Sequence, residues 1–267
     1  MKPVARRWVN VGAFAFAIVV NALVNVLKLG GNTTGDVSDR FNAVFTPAAY
    51  VFSIWAVIYA WLFLYVVYQA LPASADAPFQ REIGLLFAIN MVANGAWMIC
   101  WHLEWILATL VLMVIILLTL VLIYTRLGIG TRHVKPLDNW LVRAPFSLYL
   151  GWISVAIIAN ASVLLIDRGW GRMGLREADW AVIMLLVATA LSSAISFLRR
   201  DWLAAAVFVW AFVGLFMRNL GVEGRTAVAI VALVCAVLAA AAAVCGLIWG
   251  KRPKPAAPQP VGQSPTS

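Results

Sequence analysis

Long apolar runs alternate with short polar segments along almost the whole chain. A bilayer core of about 30 Å requires roughly 20 apolar residues, because an α-helix rises about 1.5 Å per residue. Runs of this length favour helices over barrel strands, which alternate in polarity and are about ten residues long. The pattern predicts an all-α integral membrane protein with about eight transmembrane helices, the seventh short for a span: 8–27, 47–71, 83–102, 105–127, 144–166, 180–198, 202–217 and 226–249.

Composition and charge agree with a membrane location. Hydrophobic residues make up 64% of the chain and charged residues 12%, and only brief loops separate the runs, so no soluble domain of useful size is expected. The net charge is +9, but the cations are scattered over loop ends and form no basic stripe. We therefore expect the lipid bilayer as a partner and no nucleic acid.

The distribution of cations predicts the orientation in the membrane. If the amino terminus is cytoplasmic, 13 of the 20 Lys and Arg residues fall on that side and 7 on the other. Cations mark the cytoplasmic side, so both termini should lie in the cytoplasm, with the cell (inner) membrane as the expected location. We expect an uncleaved first span and a disordered cytoplasmic tail at 250–267, which is rich in Pro, Gln and Ser.

Asparagines take the place of charged residues inside the runs. No Asp, Glu, Lys or Arg lies near the middle of any run, which disfavours a proton- or sodium-coupled transporter. Asn21 and Asn25 are four residues apart, as are Asn90 and Asn94, so each pair shares a helical face; Asn160 lies deep in the fifth run. These amides either hydrogen-bond between helices as packing contacts or contact a ligand.

Tryptophan is the second unusual residue type, with 13 copies. Many of them lie at the ends of runs, where indoles favour the headgroup zone. Trp55, Trp97 and Trp152 lie further in. An interior indole carries an N–H that needs a partner and a flat face suited to stacking on a planar ligand, while core filling is the alternative role for each one.

Three motifs resemble those of the TspO/MBR family, the tryptophan-rich sensory or translocator proteins. They follow the family's order at comparable spacing, over roughly residues 8–168. Residues 47–59, PAAYVFSIWAVIY, resemble PPGWVFxxVWxxLY; residues 94–97, NGAW, are similar to NxxW, with 101–102 resembling the end of FFGLH; and residues 145–160, PFSLYLGWISVAIIAN, resemble PYxxWVSFAxxLN.

The chain departs from the family pattern at two places. Residues 47–50, PAAY, replace the family's double proline and glycine before the aromatic residue. No tyrosine follows Trp152 before Arg168, so the tyrosine of the proposed cholesterol motif is missing. We therefore do not predict sterol binding.

The resemblance implies a TspO-like five-helix bundle over residues 1–168, with a pocket that binds tetrapyrroles such as porphyrins. Residues 169–249 would then form a three-helix C-terminal membrane extension, which that five-helix family lacks. The implied function is a membrane-embedded sensor or regulator of TspO type that binds a planar hydrophobic ligand such as a tetrapyrrole (porphyrin). The alternative is a transporter or exporter of a hydrophobic or tetrapyrrole-like solute. The motifs occur once, without the repeat common in transporters, which favours the sensor.

Helical spacing groups the motif residues into a candidate ligand-binding site. Partners three or four residues apart share a face, and faces that bear amides should turn away from lipid, where an amide is costly. The alternative is that these faces pack together without a cavity. The candidate residues are Trp55, Tyr59, Asn94, Trp97, Tyr149, Trp152 and Asn160.

No catalytic, metal or cofactor site is predicted, and the protein is not expected to be an enzyme. The sequence has no Ser/His/Asp constellation, no paired carboxylates at mid-depth and no phosphate-binding loop, and residues 30–36 are expected to form a flexible turn. The two histidines are His102 and His133; we expect His102, at a helix end, to be solvated and not an axial ligand. A homodimer and a purely structural role stay open.

Overall fold

The computed structural model describes residues 3–250, so the predicted tail lies outside the described residues except for Gly250. Within that range all regular structure is helical, without strands. Short 3₁₀ turns occur at Leu29–Gly31, Ala49–Ser53, Pro72–Ser74 and Arg172–Gly174, and a π turn at Asn139–Arg143. The helices are α1 (Pro3–Val26), α2 (Thr34–Phe41), α3 (Ile54–Ala70), α4 (Phe79–Ile83), α5 (Leu86–His102), α6 (Ile106–Arg126), α7 (Pro136–Asp138), α8 (Ala144–Asp167), α9 (Glu177–Arg199), α10 (Trp202–Asn219) and α11 (Thr226–Trp249).

The predicted all-α membrane fold is confirmed. Among residues 3–250, seven helices are long and apolar enough to cross a bilayer: α1, α3, α6, α8, α9, α10 and α11. The short seventh run forms α10, with 18 residues. The run at 83–102 is interrupted at Gly84, which has a positive φ of 57°. Helix α5 therefore has only 17 residues, which span about 25 Å. The predicted count of eight spans is therefore approximate.

Hydrogen bonds between helix ends show that long helices that follow one another in the chain run in alternating directions. Near the start of α1, Asn10 Nδ2 donates to Gln69 Oε1 at the end of α3 (3.3 Å) and to the Gly84 carbonyl before α5 (3.1 Å). Tyr124, near the end of α6, donates its hydroxyl to Asp201 Oδ2 before α10 (2.8 Å). We call the end at which α1, α5, α8 and α10 begin the N-terminal face, and the opposite end the far face.

Helices α9–α11 pack on one another and on one side of the bundle formed by α1, α3, α5, α6 and α8. They build a second hydrophobic core, which also takes in Phe45 from the segment before α3. Helix α10 makes the main junction with α8, where a Cβ on Gly151 would lie only 2.8 Å from the Ala204 carbonyl oxygen. Glycine therefore allows the two backbones to approach. Trp210 Nε1 of α10 also donates to the Val51 carbonyl (3.2 Å), which orders the segment leading into α3.

The polar segment at 30–36, expected to be a flexible turn, leads into helix α2 on the far face. A capping box starts this helix: Thr33 Oγ1 accepts from the Asp36 N–H (3.2 Å), and Asp36 Oδ2 accepts from the Thr33 N–H (2.8 Å). These hydrogen bonds hold the pKa of the Asp36 carboxyl below its ordinary value. The flexible-turn expectation was therefore wrong for the second half of this segment, because local side chains satisfy the first backbone donors of a helix.

Helix α2 is tied to two neighbouring elements by ion pairs. Asp39 pairs with Arg218 at the end of α10 (2.7 Å), and Arg40 pairs with Glu104 in the turn between α5 and α6. These side chains are partly or largely exposed, so each pair contributes at most about 1 kcal/mol. The ion pairs are thus a small part of what holds the helix on the far face, where the fully buried Val37 side chain packs into the core.

Candidate functional site

Four aromatic rings surround Trp55 near the start of α3. The Trp55 indole stacks on Tyr59, with ring centroids 5.3 Å apart and an interplanar angle of 19°. Tyr149 and Trp152 of α8 meet it edge-on at 5.7 and 6.1 Å, and Trp97 of α5 lies tilted at 6.4 Å. Stacked and edge-on arrangements are both favourable for aromatic pairs. The structure therefore brings the residues of three sequence motifs into one cluster.

Asn94 joins the two tyrosines on one side of Trp55. Its Oδ1 accepts from the Tyr59 hydroxyl (2.7 Å) and from Asn21 Nδ2 (3.3 Å), and its Nδ2 donates to the Tyr149 hydroxyl (3.0 Å). An amide without partners would be costly between membrane helices, and here both of its polar atoms are paired. These four residues, from α1, α3, α5 and α8, form the Asn94 network.

An apolar cavity lies between the Asn94 network and the far face. Its free volume is about 40 Å³, room for a few water molecules at roughly 10–15 Å³ each. Helix α2 covers it, and Trp101 Nε1 donates to the Thr34 carbonyl at the start of this helix (3.1 Å). The residues that line the cavity include Thr34, Ser38, Thr46, Phe52, Trp55, Trp97, Trp101, Trp152 and Asn160.

The indole N–H groups of two tryptophans that line the cavity have no hydrogen-bond acceptor among residues 3–250. They belong to Trp97 and Trp152, which are only 5% and 2% exposed. The buried Thr46 hydroxyl in the same wall also lacks a partner in that range. Leaving such a group unpaired costs about 1–3 kcal/mol, so native structures retain few of them. An acceptor on a molecule held in the cavity would relieve this cost.

Asn160 reaches the cavity from the far half of α8, but its amide is already engaged. Its Nδ2 donates to Thr109 Oγ1 of α6 (3.0 Å), and the Thr109 hydroxyl in turn donates to the Ile106 carbonyl (2.7 Å). Asn160 is thus a contact between α6 and α8 as well as a wall residue. Of the seven candidate residues, Trp55, Trp97, Trp152 and Asn160 line the cavity, and Tyr59, Asn94 and Tyr149 lie beneath it.

Several wall residues are absent from the sequence-based site. Trp101 stacks on Trp97 with ring centroids 5.5 Å apart, and their spacing of four residues on one helix could have revealed it. Phe52 meets Trp152 edge-on at 5.9 Å and lies within the motif at 47–59. For Thr34, the sequence offers only the capping-box spacing of Thr33 and Asp36. This spacing indicates where a helix starts but not that the helix lies over a cavity.

His102 is buried, contrary to the expectation that it is solvated. It is 1% exposed, and its Nδ1–H donates to the Met98 carbonyl one turn earlier (3.0 Å), which assigns the proton to Nδ1. The segment before α2 lies close to this helix end, since the Gly30 backbone packs against the His102 carbonyl. His102 is not part of the cavity wall. Within residues 3–250, no group of three His, Cys, Asp or Glu side chains could hold a metal ion.

The fold and the site define a class of protein: a multi-pass helical membrane protein with a small aromatic cavity near one face. A family model described as TSPO-like protein matches residues 7–245, so the chain belongs to this family. The match continues past residue 168, where the motif resemblance ends, through α9 and α10 into α11. No curated protein and no solved structure matches the chain.

Replacing Asn94 with alanine should destabilise the bundle, because the Tyr59 and Tyr149 hydroxyls lose their shared partner. We expect the free energy of unfolding to fall by about 1–3 kcal/mol, measured as a lower midpoint of thermal unfolding in detergent. Asn139→Ala is the matched control, since the Asn139 side chain is exposed on the N-terminal face and should change the midpoint little. Equal midpoints for Asn94→Ala and the wild type would contradict a structural role for the Asn94 network.

Proposed function

We propose that the protein is a membrane-embedded sensor or regulator that binds a planar hydrophobic ligand, such as a tetrapyrrole, in the aromatic cavity. The observation that carries the proposal is that Trp97 and Trp152, which line a mainly apolar cavity, each have an unpaired indole N–H among residues 3–250. Flat indole faces suit a planar ring, and the two N–H groups suit acceptors on that ring or its substituents. The proposal assigns the protein no catalytic step.

The charges around the cavity constrain how such a ligand would lie. The residues that line the cavity include no Lys or Arg, so a carboxylate buried there would have no cation to offset its desolvation. Arg40 and Arg218 lie at α2 on the far face instead. Both arginines are already paired with carboxylates, so a tetrapyrrole would insert its ring edge between the indoles and keep its acidic groups outside the cavity, in water at the far face.

The narrow free volume requires the site to open before such a ligand can enter. A space of about 40 Å³ does not accommodate a macrocycle, and ligand pockets usually measure about 300–1,000 Å³. Helix α2 is the element that would move, because it covers the cavity, has only eight residues, and is held by the buried Val37 and by partly exposed ion pairs. Opening would thus cost little compared with displacing a long helix of the bundle.

Transport of the same class of solute is the alternative function. It would require a path from the cavity to the N-terminal face. On that side of the Asn94 network, Tyr65, Phe87 and Phe146 are fully buried and pack edge-on, with ring centroids 5.1–5.9 Å apart. This packed layer supports the sensor over the transporter.

Replacing either cavity indole should weaken binding of protoporphyrin. Trp97→Phe and Trp152→Phe keep most of the side-chain bulk but remove the N–H, so we expect each to raise the dissociation constant about 3–10-fold, the usual net worth of one hydrogen bond. Quenching of tryptophan fluorescence in detergent measures the constant. Trp249→Phe is the control, because Trp249 is 73% exposed at the end of α11. If the wild type binds and both cavity variants bind equally well, the site assignment is wrong.

We also propose that both termini lie in the cytoplasm and that the membrane is the cell (inner) membrane, on the basis of the cation asymmetry. Reporter fusions after residues 132 and 254 should then both report the cytoplasm, whereas a fusion after residue 171, between α8 and α9, should report the opposite side. A fusion after 132 or 254 that reports the outside would contradict this orientation.

A further inference from the structure

A second cavity opens at the N-terminal face, where the end of α6 meets the starts of α8 and α10. It has about 150 Å³ of free space, several times that of the aromatic cavity. Its chemistry is also different, because its wall contains charged and polar groups. The residues that carry the inference are Trp140, Arg143, Arg199, Arg200, Asp201 and Trp202.

The cavity has an excess of positive charge. Arg143 is 6% exposed, and its two terminal nitrogens donate to the Arg132 and Leu127 carbonyls, both at 2.6 Å, which fixes the guanidinium in position. Arg199 lies over the Tyr124 ring, 5.8 Å from its centroid. No carboxylate among residues 3–250 forms an ion pair with Arg143, Arg199 or Arg200.

The single carboxylate in the wall is already engaged. Asp201 is buried; it accepts hydrogen bonds from the Tyr124 hydroxyl (2.8 Å), the Ala204 N–H (3.1 Å) and the Ser147 hydroxyl. Residues 251–267 contain no Asp or Glu; their charged residues are Lys251, Arg252 and Lys254. An anion from outside the protein is therefore the natural counter-charge for the three arginines.

The two tryptophans locate this cavity at the membrane–water boundary. Trp140 and Trp202 are about half exposed, at the N-terminal-face ends of their helices, and exposed indoles at span ends favour the headgroup zone. We propose that the cavity binds the phosphate of an anionic phospholipid from the leaflet on this face. Arginine forks match phosphate oxygens, and basic pockets between membrane helices are suited to such headgroups. The site is separate from the aromatic cavity and does not depend on the function proposed for it.

Native mass spectrometry of the full-length protein, titrated with phosphatidylglycerol or phosphatidylcholine, tests the proposal. We expect the wild type to bind phosphatidylglycerol more tightly than phosphatidylcholine. Arg199→Gln with Arg200→Gln should weaken the phosphatidylglycerol affinity about 30-fold, at roughly fivefold for each arginine. The pair Arg199→Lys and Arg200→Lys keeps the charge and should retain most of the affinity. The control pair, Arg81→Gln and Arg126→Gln, removes exposed cations elsewhere on the same face and should have little effect.

Folding is checked by thermal unfolding in neutral detergent, because Arg200 also donates to the Leu247 carbonyl at the end of α11. If the double glutamine variant unfolds early, Arg199→Gln alone should still weaken lipid binding about fivefold. Three results would overturn the proposal: equal affinity for the two lipids, an equal loss in the control pair, or unchanged affinity in a folded glutamine variant. Displacement of the lipid by excess inorganic phosphate would reassign the site to a soluble phosphate and also contradict it.

Discussion

The helix bundle depends on the buried amide of Asn94, which needs hydrogen-bond partners that the surrounding lipid cannot supply. Lipid tails offer Asn94 no hydrogen bonds, so its side chain must find them on neighbouring helices. It finds them on Asn21, Tyr59 and Tyr149, and thereby links α1, α3, α5 and α8 at one depth. This fixes the two tyrosine rings against which Trp55 packs, so the position of the aromatic cavity follows from the polar network beneath it.

The two sides of Trp55 differ in whether their polar atoms have hydrogen-bond partners. On one side, the polar atoms of Asn94 are paired within the protein; on the other, the indole N–H groups of Trp97 and Trp152 are not. A protein selected only for packing would gain by pairing or removing such groups, since each unpaired donor reduces stability. These two donors are the groups that the proposed ligand would pair.

The sequence predicted what depends on local composition and helical spacing. Long apolar runs defined the spanning helices, and spacings of three or four residues identified the faces that carry Trp55, Asn94 and Trp152. It did not predict contacts between distant segments, such as the ion pairs that join Asp39 and Arg40 of α2, the helix over the cavity, to residues more than sixty positions away. Likewise, the Thr109 partner of Asn160 lies on another helix, and no single-helix pattern could identify it.

The most direct measurement follows the indole N–H signals of the protein by NMR, with ¹⁵N-labelled tryptophan, as protoporphyrin is added. The signals of Trp97 and Trp152 are assigned by their loss in the respective phenylalanine variants. If the cavity is the ligand site, these two signals should shift strongly, whereas those of the exposed Trp8 and Trp249 should stay in place. Bound protoporphyrin that leaves the Trp97 and Trp152 signals unchanged would contradict a ligand site in the aromatic cavity.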